Sequence, residues 1–398
     1  MAIAKTYIPY GAYWSTPFCR WQGSLASQHS MKLAAQSAQS FLGARKIAAE
    51  AFDGLVLGIT VFQRHSFYGA PWLAGMIGAP TITGPTLSQA CATSARMVAN
   101  ATLEIEAGQR ECILAVGCDR TSNGPHVYYP NPQGIGGMGE AENPVFDNFN
   151  IDPWAKQPMI QTAENVAAKE KISREEQDEM TLLRYGQYEK SLANDRAFQK
   201  RYMLGVELKK GKKVIGTLEA DEGIHPTTVE GLAKLRPVQP DGTVTFGSQT
   251  HPADGNAGMV LCTKDRAAKL STDPSISIQV LSFAEARVEK ALMPMAVVPA
   301  GRDALDRAGV KIGDCAAITT HNPFAVNDVY FSREMSVDPT KINRYGSPLI
   351  WGHPQGPTGL RAMIELIEDL KDAGGGIGLF SGCAAGDTGM AVVLKVGG

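Results

Sequence analysis

The sequence predicts an α/β fold of two similar layered halves, with a long irregular insertion in the first. Three observations carry this. The chain has 398 residues, which suggests two or three domains at roughly 150 residues each. A unit of small residues, amphipathic helix, glycine turn and apolar strand occurs twice. Between the two copies the composition changes to Gly, Pro, Asn and aromatic residues.

The first unit starts at Ser88. Met97, Ala101 and Ile105 mark a helix, Gly108 turns the chain, and an apolar strand runs from Cys112 to Val116 and ends in Gly117-Cys118. The second starts at Gly352. Its helix carries Met363, Ile364, Ile367 and Leu370, its turn spans Gly374 to Gly376, and its strand, Ile377 to Phe380, ends near Gly382-Cys383. The intervals Cys91–Cys118 and His353–Cys383 are similar in length. A duplication explains this, as does chance likeness between two ordinary α/β segments. In a duplication, a nucleophile at the start of one helix would lie near the matching loops of the other half.

The insertion is read as residues 121–244, between a first half at 1–120 (completed by about 245–265) and a second half at 266–398. Residues 121–158 read as irregular loops. Ser173, followed three residues later by Glu176, reads as a capping box opening a helix. Residues 205–245 read as short basic strands and turns. The whole piece could cover a site or make subunit contacts.

Composition narrows the function classes. Hydrophobic residues make up 44% and the formal net charge is -2, so no global field favours nucleic acid. The run Lys209, Lys210, Lys212, Lys213 reads as a solvated loop. The start, MAIAKTYIPYGAYW, lacks the pattern of a secretory signal, and no stretch reaches the ~18 apolar residues of a membrane span. The seven cysteines are widely spaced and odd in number, with no CxxC pair, so neither a disulfide framework nor a structural zinc site is expected. A reducing cytoplasm fits best.

Four residues are candidates for chemistry. Cys91 lies just before a helix, where unpaired N–H groups and the macrodipole favour a thiolate; local sequence alone favours a buried packing cysteine. His353, between Gly352 and Pro354, sits on a constrained turn and could equally cap or pack. Cys383 ends a strand at a turn of small residues whose N–H groups could face an anion, or it is structural. His321 opens His321-Asn322-Pro323-Phe324 after the strand-like run Ala316 to Thr320.

Taken together, the motifs resemble the thiolase family over nearly the whole chain. Thr16-Pro17-Phe18 with Gly23-Ser24-Leu25-Ala26 is similar to the family's opening, and Cys91 stands where the acylated cysteine stands. Thr162 to Ala167, with Ile172 to Gln177, resembles the loop-domain signature. Leu232 to Pro237 and Gly242 to Thr245 resemble the next block. Gly352-His353-Pro354 is similar to the histidine motif, and Cys383 with Gly386 and Gly389 to the C-terminal cysteine-glycine turn. The resemblance implies two five-stranded α/β halves in αβαβα layers with an inserted loop domain. It implies cleavage of a 3-oxoacyl-CoA by CoA, or the reverse condensation, with coenzyme A as co-substrate and no permanently bound cofactor. Cys91 would be the nucleophile, His353 its base, and Cys383 the acid/base on the substrate carbon. One oxyanion would be met by His353 with His321 or a water it holds, the other by backbone N–H groups of Cys91 and Ala385.

Departures from the family pattern refine this. The usual Asn-Glu-Ala-Phe is His321-Asn322-Pro323-Phe324 here, resembling the branch of sterol carrier protein-linked thiolases. At the coenzyme A contacts, Pro158-Met159 replaces His-Met, His225 replaces an Arg facing the nucleotide, Thr250 replaces a Ser, and Phe324 is kept. Tyr345, Trp351, Trp154 and the Phe146/Phe149 region suggest an aromatic or branched acyl group, as in benzoylsuccinyl-CoA thiolase, or they are ordinary loop packing. Thiolases of that kind work with a small zinc-binding OB-fold subunit, so any metal would belong to the partner. The family further implies a homodimer or tetramer. Two alternatives remain: an acetyl-CoA acetyltransferase of short-chain metabolism, and a non-catalytic acyl-CoA-binding subunit. A decarboxylating condensing enzyme is disfavoured because Cys383 stands where such enzymes carry His.

Overall fold

The computed structural model describes residues 3–210 and 213–397. In the first half, β1 (Tyr7–Pro9) leads to α1 (Ser30–Arg45), β2 (Gly54–Gly58), α2 (Gly69–Ile77), β3 (Thr86–Leu87), α3 (Thr93–Glu106) and β4 (Cys112–Arg120). The chain then leaves the sheet. Its main helices there are α4 (Met159–Glu170) and α5 (Arg174–Ser191), and it returns as β5 (Ala253–Cys262). The second half runs β6 (Ser277–Arg287), α6 (Val297–Ala308), β7 (Cys315–His321), α7 (Ala325–Met335), α8 (Thr358–Asp372), β8 (Gly376–Ala384) and β9 (Thr388–Gly397).

Both halves place their strands in the same spatial order. The first reads β3-β2-β4-β5-β1, and the second reads β7-β8-β9-β6 with Ile342 bridged in parallel to Ile318 at the outer edge. The senses of pairing also match: β2/β4 and β7/β8 are parallel, and β4/β5 and β8/β9 antiparallel. Chance likeness would not reproduce both order and sense, so the repeated unit is a duplication. β1 pairs antiparallel with β6 and joins the halves into one sheet path. The fifth strand position of the second half is reduced to the Ile342 bridge. Ser336 and Asn343 there adopt left-handed backbone (φ 54° and 55°) around Pro339, which prevents a longer strand.

The layers follow from which faces are apolar. Met97, Val98, Ala101 and Ile105 of α3 share a core with Leu360, Met363, Ile364 and Ile367 of α8, packed between strands of both halves. α1 and α2 cover the outer face of the first half, and α6 and α7 that of the second. The result is αβαβα. A helix buried on all sides must pair its polar groups. α8 does so: Arg361 donates to Asp221 at 2.6 and 2.8 Å and to Glu365 at 3.0 Å, and lies over the Trp351 ring at 4.3 Å.

Small residues bring the starts of α3 and α8 together. A Cβ on Gly359 would stand 2.9 Å from Ser94 Cβ, and one on Gly117 3.0 Å from Pro357 Cα. The small residues that open both repeats therefore permit a close crossing, and that crossing sets the site.

The insertion is tied to this frame by buried polar contacts. Arg184 of α5 donates to Asp328 of α7 at 2.6 Å, and Gln187 of α5 donates to the Ile342 carbonyl at 3.0 Å. The capping box at Ser173 and Glu176 is present. Residues 121–158 are less irregular than their composition suggests. They hold a short hairpin, Val127–Tyr129 with Glu140–Glu142, and the helix Phe146–Asn150. Of the lysine run, Lys209 and Lys213 lie in a second hairpin, Val206–Lys210 with Lys213–Leu218, and Lys212 lies outside the described residues.

Candidate active site

The turn before α3 is held by its own polar groups. Ala90 has φ 44°, Gln89 N–H donates to Thr93 Oγ1 at 2.8 Å, and that hydroxyl donates to the Ala90 carbonyl at 2.7 Å. This presents Cys91, half-buried, at the helix start. Its Sγ lies 3.1 Å from His353 Nε2, and His353 Nδ1 lies 2.7 Å from Thr358 Oγ1 at the start of α8. With Nδ1 protonated and donating to Thr358, Nε2 can accept from the thiol.

Burial pushes the Cys91 thiol up to about 11, against a pull downward from the N–H groups of Ala385 and of Cys91 itself. Burial, and then the neighbouring His321, hold His353 well below the usual imidazole range. The resting pair is therefore an uncharged thiol and an uncharged imidazole. Transfer of the thiol proton to His353 Nε2 is the route to a thiolate that this geometry offers.

His321 and His353 place their ring centroids 4.2 Å apart at 39°. His321 is 1% exposed, neither ring nitrogen has a partner among the described residues, and burial lowers it to about 3. It is thus an uncharged group with unused hydrogen-bonding capacity beside the base. Cys383 is fully buried, and Asn327 Nδ2 donates to its sulfur at 3.2 Å. Burial, and then the neighbouring Cys91, push the Cys383 thiol far above its ordinary range.

Cys91, His353 and Ala385 open on a cleft of about 610 Å³. Met159, Thr250 and Phe324 line it as well, with Val145, Phe146, Phe149 and Met293. His225 lies apart from them, in an adjoining pocket of about 620 Å³ that shares Phe246, Gln249, Thr250 and Pro252 with the cleft. The two spaces therefore adjoin across those four residues.

Residues 12–265 match the family model "Thiolase, N-terminal domain" and residues 275–396 match "Thiolase, C-terminal domain". The chain belongs to the thiolase family. It is 30% identical over 389 residues to human mitochondrial 3-ketoacyl-CoA thiolase, covering 96% of each chain. It is 30% identical to acetyl-CoA acetyltransferase of Paracoccus denitrificans over 78% of each. The crystal structure of the human mitochondrial enzyme in complex with CoA superimposes with a TM-score of 0.90 at 28% identity, covering 99% of both chains. This thiolase is accordingly an acyltransferase of acyl-CoA metabolism.

Several residues of the thiolase site escape a reading of the sequence. Asp119, fully buried, accepts from Thr60 N–H (2.9 Å), Thr60 Oγ1 (2.8 Å), Val61 N–H (2.8 Å) and Gly356 N–H (2.8 Å). It ties the His353 loop to the end of β2, although burial raises it to about 7. A carboxylate at the end of an apolar strand was its one visible signal. Thr358 and Asn327 gave none, because each is an ordinary first-turn helix residue until its partner is known.

The aromatic residues divide. Phe146 and Phe149 line the thiolase cleft. Tyr345 stacks on Phe198 at 3.7 Å, Trp351 is buried against Phe18, and Trp154 is 65% exposed. These three are packing or surface residues, so ordinary loop packing accounts for them. Among the described residues, Cys91, His321 and His353 are the group whose ligand-type atoms approach closely enough for a metal, all within 4.8 Å. No helix among the described residues is long and apolar enough to cross a membrane.

Proposed function

We propose that this thiolase cleaves a 3-oxoacyl-CoA with free CoA, or runs the reverse condensation, through an acyl group carried on Cys91. The observation that supports this most directly is the 3.1 Å approach of Cys91 Sγ to His353 Nε2 at the floor of the cleft. His353 takes the thiol proton as the sulfur attacks the 3-oxo carbon. The N–H groups of Cys91 and Ala385, which pull the Cys91 thiol downward, receive the oxyanion on the carbon bonded to the sulfur. His353 with His321, or a water held by His321, receives the enolate oxygen of the departing thioester. Losing one such donor typically costs ~2.7–4 kcal/mol of transition-state stabilisation. Cys383 returns a proton to the departing α-carbon and removes one in synthesis.

Coenzyme A would run from Cys91 past Met159, Phe324 and Thr250 toward His225, a reading supported by Thr250 lining both adjoining pockets. Residues 121–244 act as a loop domain over this path. The acyl end, bounded by Val145, Phe146, Phe149 and Met293, supports an aromatic or branched acyl group. Among the described residues lining the cleft none is Asp, Glu, Lys or Arg. A neutral acyl group therefore suits this chain by itself. A carboxylate-bearing group such as benzoylsuccinyl would need a cation from a second protein, which ties that substrate to a partner of the zinc-binding OB-fold kind. The likeness to the Paracoccus enzyme favours short-chain acetyltransfer as the second reading. Free cysteines throughout the described residues support a cytoplasmic location, and a homo-oligomer follows from the likeness to the family.

Intact mass after incubation with a 3-oxoacyl-CoA tests the nucleophile. The native chain should gain the acyl group and Cys91→Ser should not; acylation of the variant at another residue would remove Cys91 from the role. Thiolysis over linear, branched and aromatic substrates then separates the two readings of the acyl group. If the chain is only an acyl-CoA-binding subunit, every substrate in the panel stays intact.

A further inference from the structure

We infer that Asn327 is a positioning residue for the proton-transfer step, holding Cys383 in the geometry and charge state that step requires. The inference rests on the reading of Cys383 as the acid/base. Three contacts pin the Asn327 amide. Its Oδ1 accepts from the Phe324 N–H at 3.2 Å, so its orientation is determined. Its Nδ2 faces the Cys383 sulfur at 3.2 Å and the Pro294 carbonyl at 3.5 Å. Oδ1 is thus committed to a backbone donor, and the amine can only donate toward the sulfur. Asn327 is 1% exposed, so water cannot replace it.

The chemistry gives this contact a purpose. In cleavage the Cys383 S–H bond breaks, its proton joins the α-carbon, and the electron pair remains on sulfur as a thiolate. In synthesis the thiolate takes the proton back. The thiolate is therefore an obligatory partner in both directions, inside a pocket from which water is excluded. A donor aimed at sulfur stabilises the thiolate over the thiol. Asn327 is the side-chain donor that the structure places there among the described residues, and it stands on α7 just beyond Phe324, whose ring lines the cleft. One helix start thus serves both the thioester path and the proton shuttle.

Exchange of the acetyl-CoA methyl protons with deuterated water reads the proton step, and acylation of Cys91 reads the nucleophilic step. Asn327→Ala should slow exchange about tenfold or more, the equivalent of about 1.4 kcal/mol, and move its pH profile to higher pH, with acylation within about twofold of native. Asn327→Asp, of the same shape but repelling the thiolate, should slow exchange further and gives a second probe should the smaller side chain loosen the fold. Cys383→Ala is the control. If it leaves exchange intact, the reading of Cys383 fails. If it abolishes exchange while both Asn327 variants keep the native exchange rate and pH profile, or lose exchange and acylation equally, the inference about Asn327 is overturned and that of Cys383 stands.

Discussion

At the scale of single residues, burial keeps Cys91, His353 and His321 uncharged. In the proposed reaction His353 acts as base with its Nδ1 proton held by Thr358, which leaves Nε2 for the thiol. Thr358→Val, of nearly equal volume, should lower kcat/KM about tenfold with little change in KM, because the loss is of orientation rather than binding. Steady-state kinetics with any accepted substrate checks this. His321 carries a different consequence. Its ordinary value is 6.5 and burial lowers it to about 3 in the folded chain, so its neutral form is the folded form. Its contribution to stability is fully present above pH 6.5 and is lost as pH falls toward 3, at about 1.4 kcal/mol per pH unit. His321→Asn, which restores the residue most thiolases carry, should flatten the acid limb of stability by about one proton. Urea midpoints between pH 6.5 and 4 measure it, and an unchanged slope would show that His321 is not buried neutral.

At the scale of elements, two helix starts are forced together by residues too small to keep them apart. Gly359 faces Ser94 at the crossing of α3 and α8. Gly359→Ala should destabilise the chain by roughly 1–3 kcal/mol through overpacking and slow acylation of Cys91, since both helices carry the dyad. Denaturant midpoints and acylation rates together test this. Arg361 within α8 compensates Asp221 and Glu365, all with buried side chains. Arg361→Met should cost about 3–5 kcal/mol, because two carboxyl groups are left without their cation, and thermal denaturation reads the loss. The repeats were legible because helix and strand periodicity is a local property: Met97 to Ile105 and Met363 to Leu370 announce buried faces without reference to anything distant. The hairpin at Val127–Tyr129 was not legible, since Gly and Pro density hides short strands.

At the scale of the whole molecule, the duplicated order of strands builds a five-layered body whose central helices come one from each half. The cleft they floor is apolar at its acyl end and joins a second pocket toward His225. Light scattering on the purified chain should give at least two copies per particle, and a monomer with full thiolysis activity would end the oligomer reading. If a carboxylate-bearing aromatic substrate is cleaved only after a second protein is added, the uncharged lining of the cleft is the reason.

The sequence by itself carried the likeness to the family, the repeated helix–strand unit and the candidates Cys91, His353, Cys383 and His321, because each is written in a local motif whose order survives without coordinates; the strand order then settled the repeat as a duplication. Only the tertiary structure decided how those residues meet. The contact between Cys91 and His353 spans 262 positions of chain, and that between Asn327 and Cys383 spans 56. The first pair arises from the packing of the two halves and the second from the packing of a helix on a strand within one half, and neither leaves a periodic trace. The same limit placed His225 outside the cleft of Met159 and Phe324, with Thr250 lining both spaces, and turned Tyr345 and Trp351 from pocket candidates into packing. Side-chain type is local, whereas burial and partnership are set by the whole fold, and in this site burial determines which groups are charged.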